Sequence, residues 1–234
     1  MGFLNIRGWW YRGDQYYCPC CEKRYRTFLT MSDGASNREN VVCPGCAVVE
    51  RHRLLRLYLK EKTNIYSKPH RVLYFAPELS IQKHLKAQPN IDYLSTDIDS
   101  SLAMQEFDIM DIPHPDESFS IIFCSHVLAH VKDDQKALKE LLRILKKDGL
   151  LIIFDVPAEN PKTLEYENVK TAKERLKAYG QADRWRLYGQ DFIERIEATG
   201  FQIEVDHFAN KLSETIIEEY RISKRDKIYL CRRS

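Results

Sequence analysis

Four cysteines near the start of the chain have the spacing of a metal site. Cys18 and Cys21 form one Cys-x-x-Cys pair, and Cys43 and Cys46 form a second, in the stretches YCPCC and VVCPGC. Each Cys-Pro-x-Cys turn directs two sulfurs at one ion, so two turns complete the tetrahedron that Zn²⁺ prefers. Two disulfides or a redox-active pair are the alternatives. We favour zinc because the start of the chain shows no export signal.

Three further cysteines are not expected to bind the metal. Cys20 lies inside the first turn, where the Cys-Pro-x-Cys register selects Cys18 and Cys21 instead. Cys124 and Cys231 lie in apolar runs that resemble strands, and we expect them to be buried packing residues.

If the four cysteines bind zinc, residues 1–66 form a small basic module in which the ion supplies stability that a larger hydrophobic core would otherwise provide. They contain 11 Lys or Arg against 6 Asp or Glu. The stretch AVVERHRLLRLYLKEK has a helical period, which predicts a linking helix with four basic residues outside. These residues, and a set of aromatic ones, either contact a nucleic acid or serve as surface and packing residues. The basic residues are Arg51, Arg53, Arg56 and Lys60; the aromatic residues are Trp9, Trp10, Tyr11, Tyr16 and Tyr17.

From residue 67 onward, strand-like runs alternate with amphipathic helices. Alternation of this kind predicts a parallel sheet covered by helices, with ligands beyond the carboxyl ends of the strands. The clearest helical stretch is DDQKALKELLRILKK. The predicted strands are RVLYF, IDYLSTD, MQEFD, SFSIIFCS and GLLIIFDVP.

The run from Phe107 to Pro157, FDIMDIPHPDESFSIIFCSHVLAHVKDDQKALKELLRILKKDGLLIIFDVP, resembles the central segment of class I S-adenosylmethionine-dependent methyltransferases. The resemblance implies a Rossmann-like three-layer α/β/α methyltransferase fold for residues 67–234, preceded by a zinc-ribbon-like module at 1–66. It also implies S-adenosylmethionine as cofactor beside zinc. The stretches FQIEVDHF and DKIYLCRRS would supply the terminal pair of strands that is typical of this family.

The turn after the first strand of the body departs from the family phrase V-L-D-x-G-x-G-x-G. In RVLYFAPELS, Tyr74 replaces the acid, and Ala76, Glu78 and Ser80 replace the glycines. The resemblance makes Ala76 and Glu78 part of the cofactor site. Glu78 would supply the missing charge for the ammonium group of the methionine moiety, or it caps the helix that follows.

Other cofactor contacts follow from the same resemblance. Asp97 would accept hydrogen bonds from the ribose hydroxyls and Asp108 from the adenine amino group. Asp99 is the alternative to Asp97, or it caps a helix. Neighbouring positions complete the implied cofactor set: Ile98, Ile109 and Ser125.

Two histidines beyond strand four, His126 and His130 in CSHVLAH, are candidates for a general base. Their alternative role is packing at the start of a helix or beside the cofactor. The insert after strand five would supply the acceptor pocket, or its side chains pin the insert to the body. The candidate acceptor-binding residues are Tyr166, Arg184, Arg186 and Tyr188.

These observations predict a methyltransferase acting on a small-molecule or glycan acceptor. An RNA methyltransferase that binds nucleic acid through the basic module is one alternative, and a catalytically inactive binding protein is another. No apolar run approaches the length of a membrane span, so we expect a cytoplasmic protein without a membrane partner. The sequence leaves the acceptor and the oligomeric state open.

Overall fold

A computed structural model describes residues 2–32, 37–99, 101–155 and 157–234, and the side chains from Ile6 onward. The chain forms two compact units, each built from separate stretches. The first, here named the cysteine unit, comprises Met1–Pro69, Glu78–Ile91 and His207–Asp226. The second, the sheet unit, comprises His70–Pro77, Asp92–Asp206 and Lys227–Ser234. The sequence-based boundary after residue 66 stays a prediction.

The helices and strands follow one another in two series. The first series is α1 (Gly2–Trp10), β1 (Arg12–Cys18), β2 (Lys23–Tyr25), β3 (Leu29–Ser32), β4 (Asn37–Val42), α2 (Glu50–Lys62), β5 (His70–Phe75) and α3 (Leu79–Lys86). The second is β6 (Ile91–Thr96), β7 (Phe119–Ser125), α4 (Asp134–Ile144), β8 (Leu145–Asp155), α5 (Ala172–Tyr179), α6 (Phe192–Glu197), β9 (Phe201–Asp206), α7 (Glu214–Tyr220) and β10 (Lys227–Arg233). None of the helices in the described ranges combines the length and apolar character needed to cross a bilayer.

The sheet unit is organised by a six-stranded sheet in the order β6-β5-β7-β8-β10-β9. Strand β7 pairs in parallel with both β5 and β8, whereas β10 runs antiparallel between β8 and β9. Helices α4 and α6 belong to the same unit. The predicted Rossmann-like α/β fold is therefore confirmed, including the terminal antiparallel strands.

One predicted strand is wrong. The stretch MQEFD forms an isolated bridge between Thr96 and Gln105, after which the chain turns away from the sheet. The turn is closed by Asp108, whose Oδ1 accepts a hydrogen bond from the backbone N–H of Met110 at 2.8 Å. A short apolar run is weak evidence for a strand because it serves equally well as a loop that packs on the core.

Helix α4 confirms the helix predicted in DDQKALKELLRILKK but is shorter than that stretch. The side chain of Asp133 caps it by accepting from the N–H of Lys136 at 2.9 Å, and Ala137, Leu138 and Leu141 are buried. The helix ends at Ile144 because β8 begins at the next residue.

The two cysteines of the sheet unit have the predicted packing role. Cys124 lies in β7 and Cys231 in β10, and both are buried. Burial raises the pKa of Cys231 to about 12, so its thiol stays protonated at neutral pH.

Arg53 in α2 corrects a sequence prediction, because its side chain is fully buried instead of facing solvent. Its guanidinium donates hydrogen bonds to four backbone carbonyls and lies 4.6 Å from the centre of the Phe28 ring. The acceptors are Tyr220 (2.6 Å), Val41 (2.8 Å), Arg221 (2.9 Å) and Val48 (3.2 Å). Two separate stretches of the cysteine unit, Met1–Pro69 and His207–Asp226, are thus joined through one side chain.

We expect Arg53→Leu to lower the free energy of unfolding by about 3 kcal/mol, since it leaves several buried carbonyls without donors. Urea denaturation followed by tryptophan fluorescence measures the change. Lys60→Leu on the exposed part of α2 is the control and should alter stability by about 0.5 kcal/mol or less. Equal midpoints for the two variants would contradict the role assigned to Arg53.

Candidate functional site

A cavity of about 490 Å³ opens at the carboxyl ends of three neighbouring strands of the sheet unit. Strand β5 ends at Phe75, β6 at Thr96 and β7 at Ser125. The chain passes from β5 to β6 on one side and then to β7 on the other, so the cavity lies where the strand order reverses. Seven predicted site residues line it: Ala76, Asp97, Ile98, Asp108, Ile109, His126 and His130. Asp183 and Trp185 line it as well.

Two cavity residues have a left-handed backbone although neither is glycine. Ala76 has φ +51° and His126 has φ +54°. Both conformations are fixed by hydrogen bonds, from Ala76 N–H to Thr96 O at 3.0 Å and from His126 N–H to Phe154 O at 2.9 Å. A non-glycine residue in this region costs about 1–2 kcal/mol. Ala76 thus keeps the conformation that would suit the glycine of the family phrase, at some cost in stability.

The two aspartates of the cavity are each held by a short local turn. Asp97 Oδ1 accepts from the backbone N–H of Asp99 at 3.0 Å, and Asp108 is fixed by Met110 as described above. Ionised carboxylates accept through both oxygens, so each side chain has further acceptor capacity. Both carboxylates are therefore oriented acceptors on the wall of the cavity.

The remaining cofactor candidates differ in burial. Ile109 is buried, whereas Ile98 is 65% exposed on the cavity wall. Ser125 ends β7 and is buried, but it is not among the residues that line the cavity.

Glu78 makes a contact that the sequence did not predict. It occupies the N-cap position of α3, yet its side chain makes no capping hydrogen bond. Its Oε1 lies 2.8 Å from Nε2 of His52, and both residues belong to the cysteine unit. The role of Glu78 towards an ammonium group stays a prediction.

The two candidate bases have different carboxylate neighbours. His130 Nδ1 lies 3.0 Å from Oδ2 of Asp183, and His126 Nδ1 lies 4.0 Å from Oδ1 of Asp155. Burial lowers the pKa of His130, with Arg184 adding to this and Asp183 opposing it. A lower pKa keeps the imidazole neutral at pH 7, as a base requires. Asp183 was missed by the sequence reasoning, because nothing in ADRW distinguishes it from a surface residue.

Arg186 and Tyr188 are buried, which matches the alternative that they pin the insert to the body. The Arg186 guanidinium donates to the carbonyls of Val131 (2.6 Å), Lys132 (2.8 Å) and Leu128 (2.9 Å), and to Glu165 (2.8 Å). Tyr188 donates its hydroxyl proton to Asp134 at 2.8 Å. Asp134 is also bound by Arg195; burial alone would raise its pKa, but these hydrogen bonds hold the pKa below its usual value.

The other two predicted acceptor residues lie in the same insert. Tyr166 is partly exposed and its ring stacks on that of Tyr179. Arg184 donates to the carbonyl of Tyr179 at 3.3 Å. Neither residue is among those that line the cavity. An acceptor-binding role for Tyr166, Arg184, Arg186 and Tyr188 therefore stays a prediction.

In the cysteine unit, the sulfurs of Cys18, Cys21, Cys43 and Cys46 all lie within 4.8 Å of one another. The Sγ–Sγ distance is 3.6 Å between Cys18 and Cys46 and 3.7 Å between Cys21 and Cys43. Four thiolates around zinc at about 2.3 Å would be about 3.8 Å apart, so the cluster has nearly the dimensions of a tetrahedral site. The Cys20 thiol contacts the carbonyl of His52 at 3.5 Å instead.

Both cysteine turns are closed in the same way. The N–H of Glu22 bonds to the carbonyl of Cys18, and that of Ala47 to the carbonyl of Cys43, each at 2.8 Å. Glu22 and Ala47 both have a left-handed backbone, with φ +55° and +61°. Two equivalent turns therefore present the four sulfurs.

Comparison with known proteins agrees with this architecture. The family model described as a methyltransferase domain matches residues 75–153. YcgJ, an uncharacterized methyltransferase of Bacillus subtilis (strain 168), is 41% identical over 58 residues, which are 24% of this chain and 23% of that protein. The crystal structure of YcgJ has a TM-score of 0.52 at 16% identity, over 78% of this chain and 99% of that chain.

Two further proteins extend the comparison. The 27-O-demethylrifamycin SV methyltransferase of Amycolatopsis mediterranei (strain S699) is 23% identical over 113 residues, 47% of this chain and 42% of that protein. The crystal structure of the cyclase SpnF has a TM-score of 0.52 at 14% identity, over 99% of this chain and 92% of that chain. The matches span less than half the length of these two curated methyltransferases. They confirm the resemblance to class I methyltransferases and, through the structures, the fold.

We expect Ala76→Gly to raise the free energy of unfolding by about 0.5–1 kcal/mol, because glycine adopts a positive φ without the clash of a Cβ. Thermal or urea denaturation measures the gain. Ala87→Gly is the matched control: Ala87 has φ −79°, so there glycine only adds freedom to the unfolded chain and should destabilise. Destabilisation by both changes would show that the turn at Ala76 is not strained.

Proposed function

We propose that this protein is an S-adenosylmethionine-dependent methyltransferase that binds its cofactor in the cavity of the sheet unit. The observation that carries the proposal is the pair of oriented carboxylates, Asp97 and Asp108, at the point where the strand order reverses. The match of residues 75–153 to a methyltransferase domain supports the same function. A doubly wound sheet binds its ligand at this point.

Five of the residues that line the cavity would bind or accommodate the cofactor. Asp97 accepts hydrogen bonds from the two ribose hydroxyls, and Asp108 accepts one from the adenine amino group, with Ile98 and Ile109 beside the base. The left-handed turn at Ala76 leaves room for the rest of the cofactor. When bound, S-adenosylmethionine supplies a methyl group that its sulfonium already activates. The protein's main contribution is then alignment of acceptor and cofactor.

The acceptor is proposed to be a small molecule or a glycan precursor. A cavity of about 490 Å³ lies within the usual range for small-ligand sites. His130, oriented by Asp183, is the preferred base for an acceptor that must lose a proton, and His126 is the second candidate. Both histidines line the cavity, which supports this assignment.

An RNA acceptor is the second candidate, and one observation favours it. Trp9 and Trp10 in α1 are 59% and 63% exposed, beside a basic stretch of chain. Exposed aromatic rings with cations suit the stacking of unpaired bases. Nucleic acid that co-purifies with the protein, seen as a high absorbance ratio, would support this acceptor class over a small molecule.

We also propose that the four-cysteine cluster holds one zinc ion. Its nearly tetrahedral dimensions and its all-thiolate composition are those of structural zinc sites. Such an ion contributes folding free energy to a module whose core is small. Zinc in this place has a structural role and does not take part in methyl transfer.

We expect Asp97→Ala to weaken S-adenosylmethionine at least tenfold in isothermal calorimetry, since a hydrogen bond to a charged group contributes about 1.5–3 kcal/mol. Asp99→Ala is the control, because alanine keeps the backbone N–H that Asp97 accepts. Its affinity should stay near that of the parent. An unchanged affinity in Asp97→Ala would refute the ribose contact. A parent protein that does not bind S-adenosylmethionine would favour the alternative of a catalytically inactive binding protein.

We expect metal analysis of freshly purified protein to find one zinc per chain. Cys20→Ser should keep the metal because its thiol contacts a carbonyl, whereas Cys21→Ser should lose it and destabilise the cysteine unit. A parent protein that contains no zinc, or a Cys21→Ser variant that keeps a full equivalent, would contradict the assignment.

A further inference from the structure

Tyr25, the last residue of β2, places its hydroxyl group against both cysteine turns. The side chain is buried, and its hydroxyl oxygen lies 3.4 Å from Sγ of Cys21 in the first turn. On the second turn, a Cβ added at Gly45 would overlap the same oxygen atom. One hydroxyl group therefore bonds to a sulfur of the first turn and fills the space beside the backbone of the second.

Gly45 is required by this close approach and not by its backbone conformation. Its φ lies outside the left-handed region, so the backbone alone would accept another residue there. An added Cβ would also lie 2.9 Å from Cζ of the Tyr25 ring, which is too short for two carbon atoms. The glycine of the second Cys-Pro-x-Cys turn is thus explained by a tyrosine 20 positions earlier in the chain.

Helix α1 packs on the second turn and restricts its movement away from Tyr25. Arg7 Nε donates a hydrogen bond to the carbonyl of Pro44 at 2.9 Å. At Gly8, an added Cβ would be only 3.0 Å from the Cα of Gly45. All of these residues belong to the cysteine unit. The second turn is therefore packed between the backbone of α1 and the hydroxyl of Tyr25.

The direction of the bond between Tyr25 and Cys21 follows from the chemistry of a metal ligand. Cysteine binds zinc as a thiolate, which has no proton to donate, whereas a tyrosine hydroxyl is protonated at neutral pH. In the metal-bound state the hydroxyl is the donor. A hydrogen bond donated to an anionic ligand orients that ligand and stabilises its charge.

We propose that Tyr25 is a positioning residue of the four-cysteine site. Its hydroxyl donates a hydrogen bond to the Cys21 sulfur, keeps the two turns at the separation that the ion needs, and strengthens zinc binding. It acts through a ligand and does not touch the ion. The inference rests on the proposed zinc site and extends it, because it assigns a residue outside the four cysteines a share of the affinity.

The first test removes only the hydroxyl group. Tyr25→Phe should weaken zinc about tenfold in competition with a chromophoric chelator, since losing a partner that orients a metal ligand costs about 10–100-fold. Tyr16→Phe is the matched control: both rings pack on Phe28, but the Tyr16 hydroxyl accepts a hydrogen bond from Gln15. The control should keep the parental affinity. Equal zinc affinity in the parent and Tyr25→Phe would overturn the proposal.

The second test distinguishes a hydrogen bond from packing, with cobalt(II) loaded into the full chain in place of zinc. A donor on a thiolate lowers the energy of its lone pairs, so removing the donor should move the sulfur-to-cobalt charge-transfer band to longer wavelength. The band should shift in Tyr25→Phe and stay in place in Tyr16→Phe. A band that does not move in Tyr25→Phe would overturn the hydrogen bond to Cys21.

The third test concerns the contact with the second turn. Gly45→Ala should weaken zinc more than Tyr25→Phe does, because the new methyl group displaces the hydroxyl from both turns. Adding Tyr25→Phe to Gly45→Ala removes the overlap with the oxygen, so the double variant should bind zinc more tightly than Gly45→Ala alone. Losses that simply multiply would show that Gly45 is required for another reason, and would contradict the contact.

The outcomes separate this inference from the proposed zinc site. A parent protein that binds no zinc removes both. A parent that binds one equivalent, loses it in Cys21→Ser and is unaffected by Tyr25→Phe keeps the four-cysteine site and removes only the role of Tyr25.

Discussion

A guanidinium group that is withdrawn from water must place its N–H donors on acceptors inside the protein, and each unit of this molecule is arranged around one such group. Arg53 and Arg186 are both fully buried, and both donate chiefly to backbone carbonyls. Carbonyl oxygens have no net charge, so several must converge to replace the lost hydration. The planar fork of arginine makes this convergence specific, because only certain placements of the contributing segments satisfy it.

In the sheet unit, the hydrogen bonds of the buried Arg186 also fix a segment that lines the cavity. Arg186 binds the carbonyls of Leu128, Val131 and Lys132, which surround His130 in the chain. The backbone N–H of Trp185 also bonds to the carbonyl of Ala129 at 2.8 Å. The segment that carries His130 and the segment that carries Asp183 are thereby fixed against each other. The geometry of the candidate base depends on a residue that does not line the cavity.

Features set by local patterns were predictable from the sequence, and features set by distant partners were not. The cysteine spacing and the apolar strands are local, and the structure contains a compact four-sulfur cluster and the expected sheet. Arg53 was expected at the surface because a helical period assigns charged residues to the outer face. Its acceptors at residues 220 and 221 lie more than 160 positions away, where no periodicity can point to them.

The same reasoning explains two contacts that sequence patterns do not predict, those of Glu78 and Asp183. The predicted role of Glu78 came from its position in the family phrase. That phrase contains no equivalent of His52, so it could not predict the contact between Glu78 and His52. Asp183 lies in an insert whose course is decided by Arg186 and Tyr188, which themselves were expected to face an acceptor. In the structure Arg186 bonds to Glu165 and to three backbone carbonyls, and Tyr188 bonds to Asp134, which are contacts within the sheet unit that chemistry alone does not predict.

The place of β10 in the sheet has a consequence for synthesis on the ribosome. Residues 227–233 lie between β8 and β9, so β9 has no partner in the sheet until the last strand has left the exit tunnel. The carbonyls of Tyr220 and Arg221 that Arg53 requires appear only slightly earlier. Neither unit can complete its native contacts while the chain is still short. Until residues 220–233 have left the tunnel, the nascent chain has an unpaired β9 and an Arg53 that lacks two of its four backbone acceptors, and in that interval it depends most on protection from aggregation.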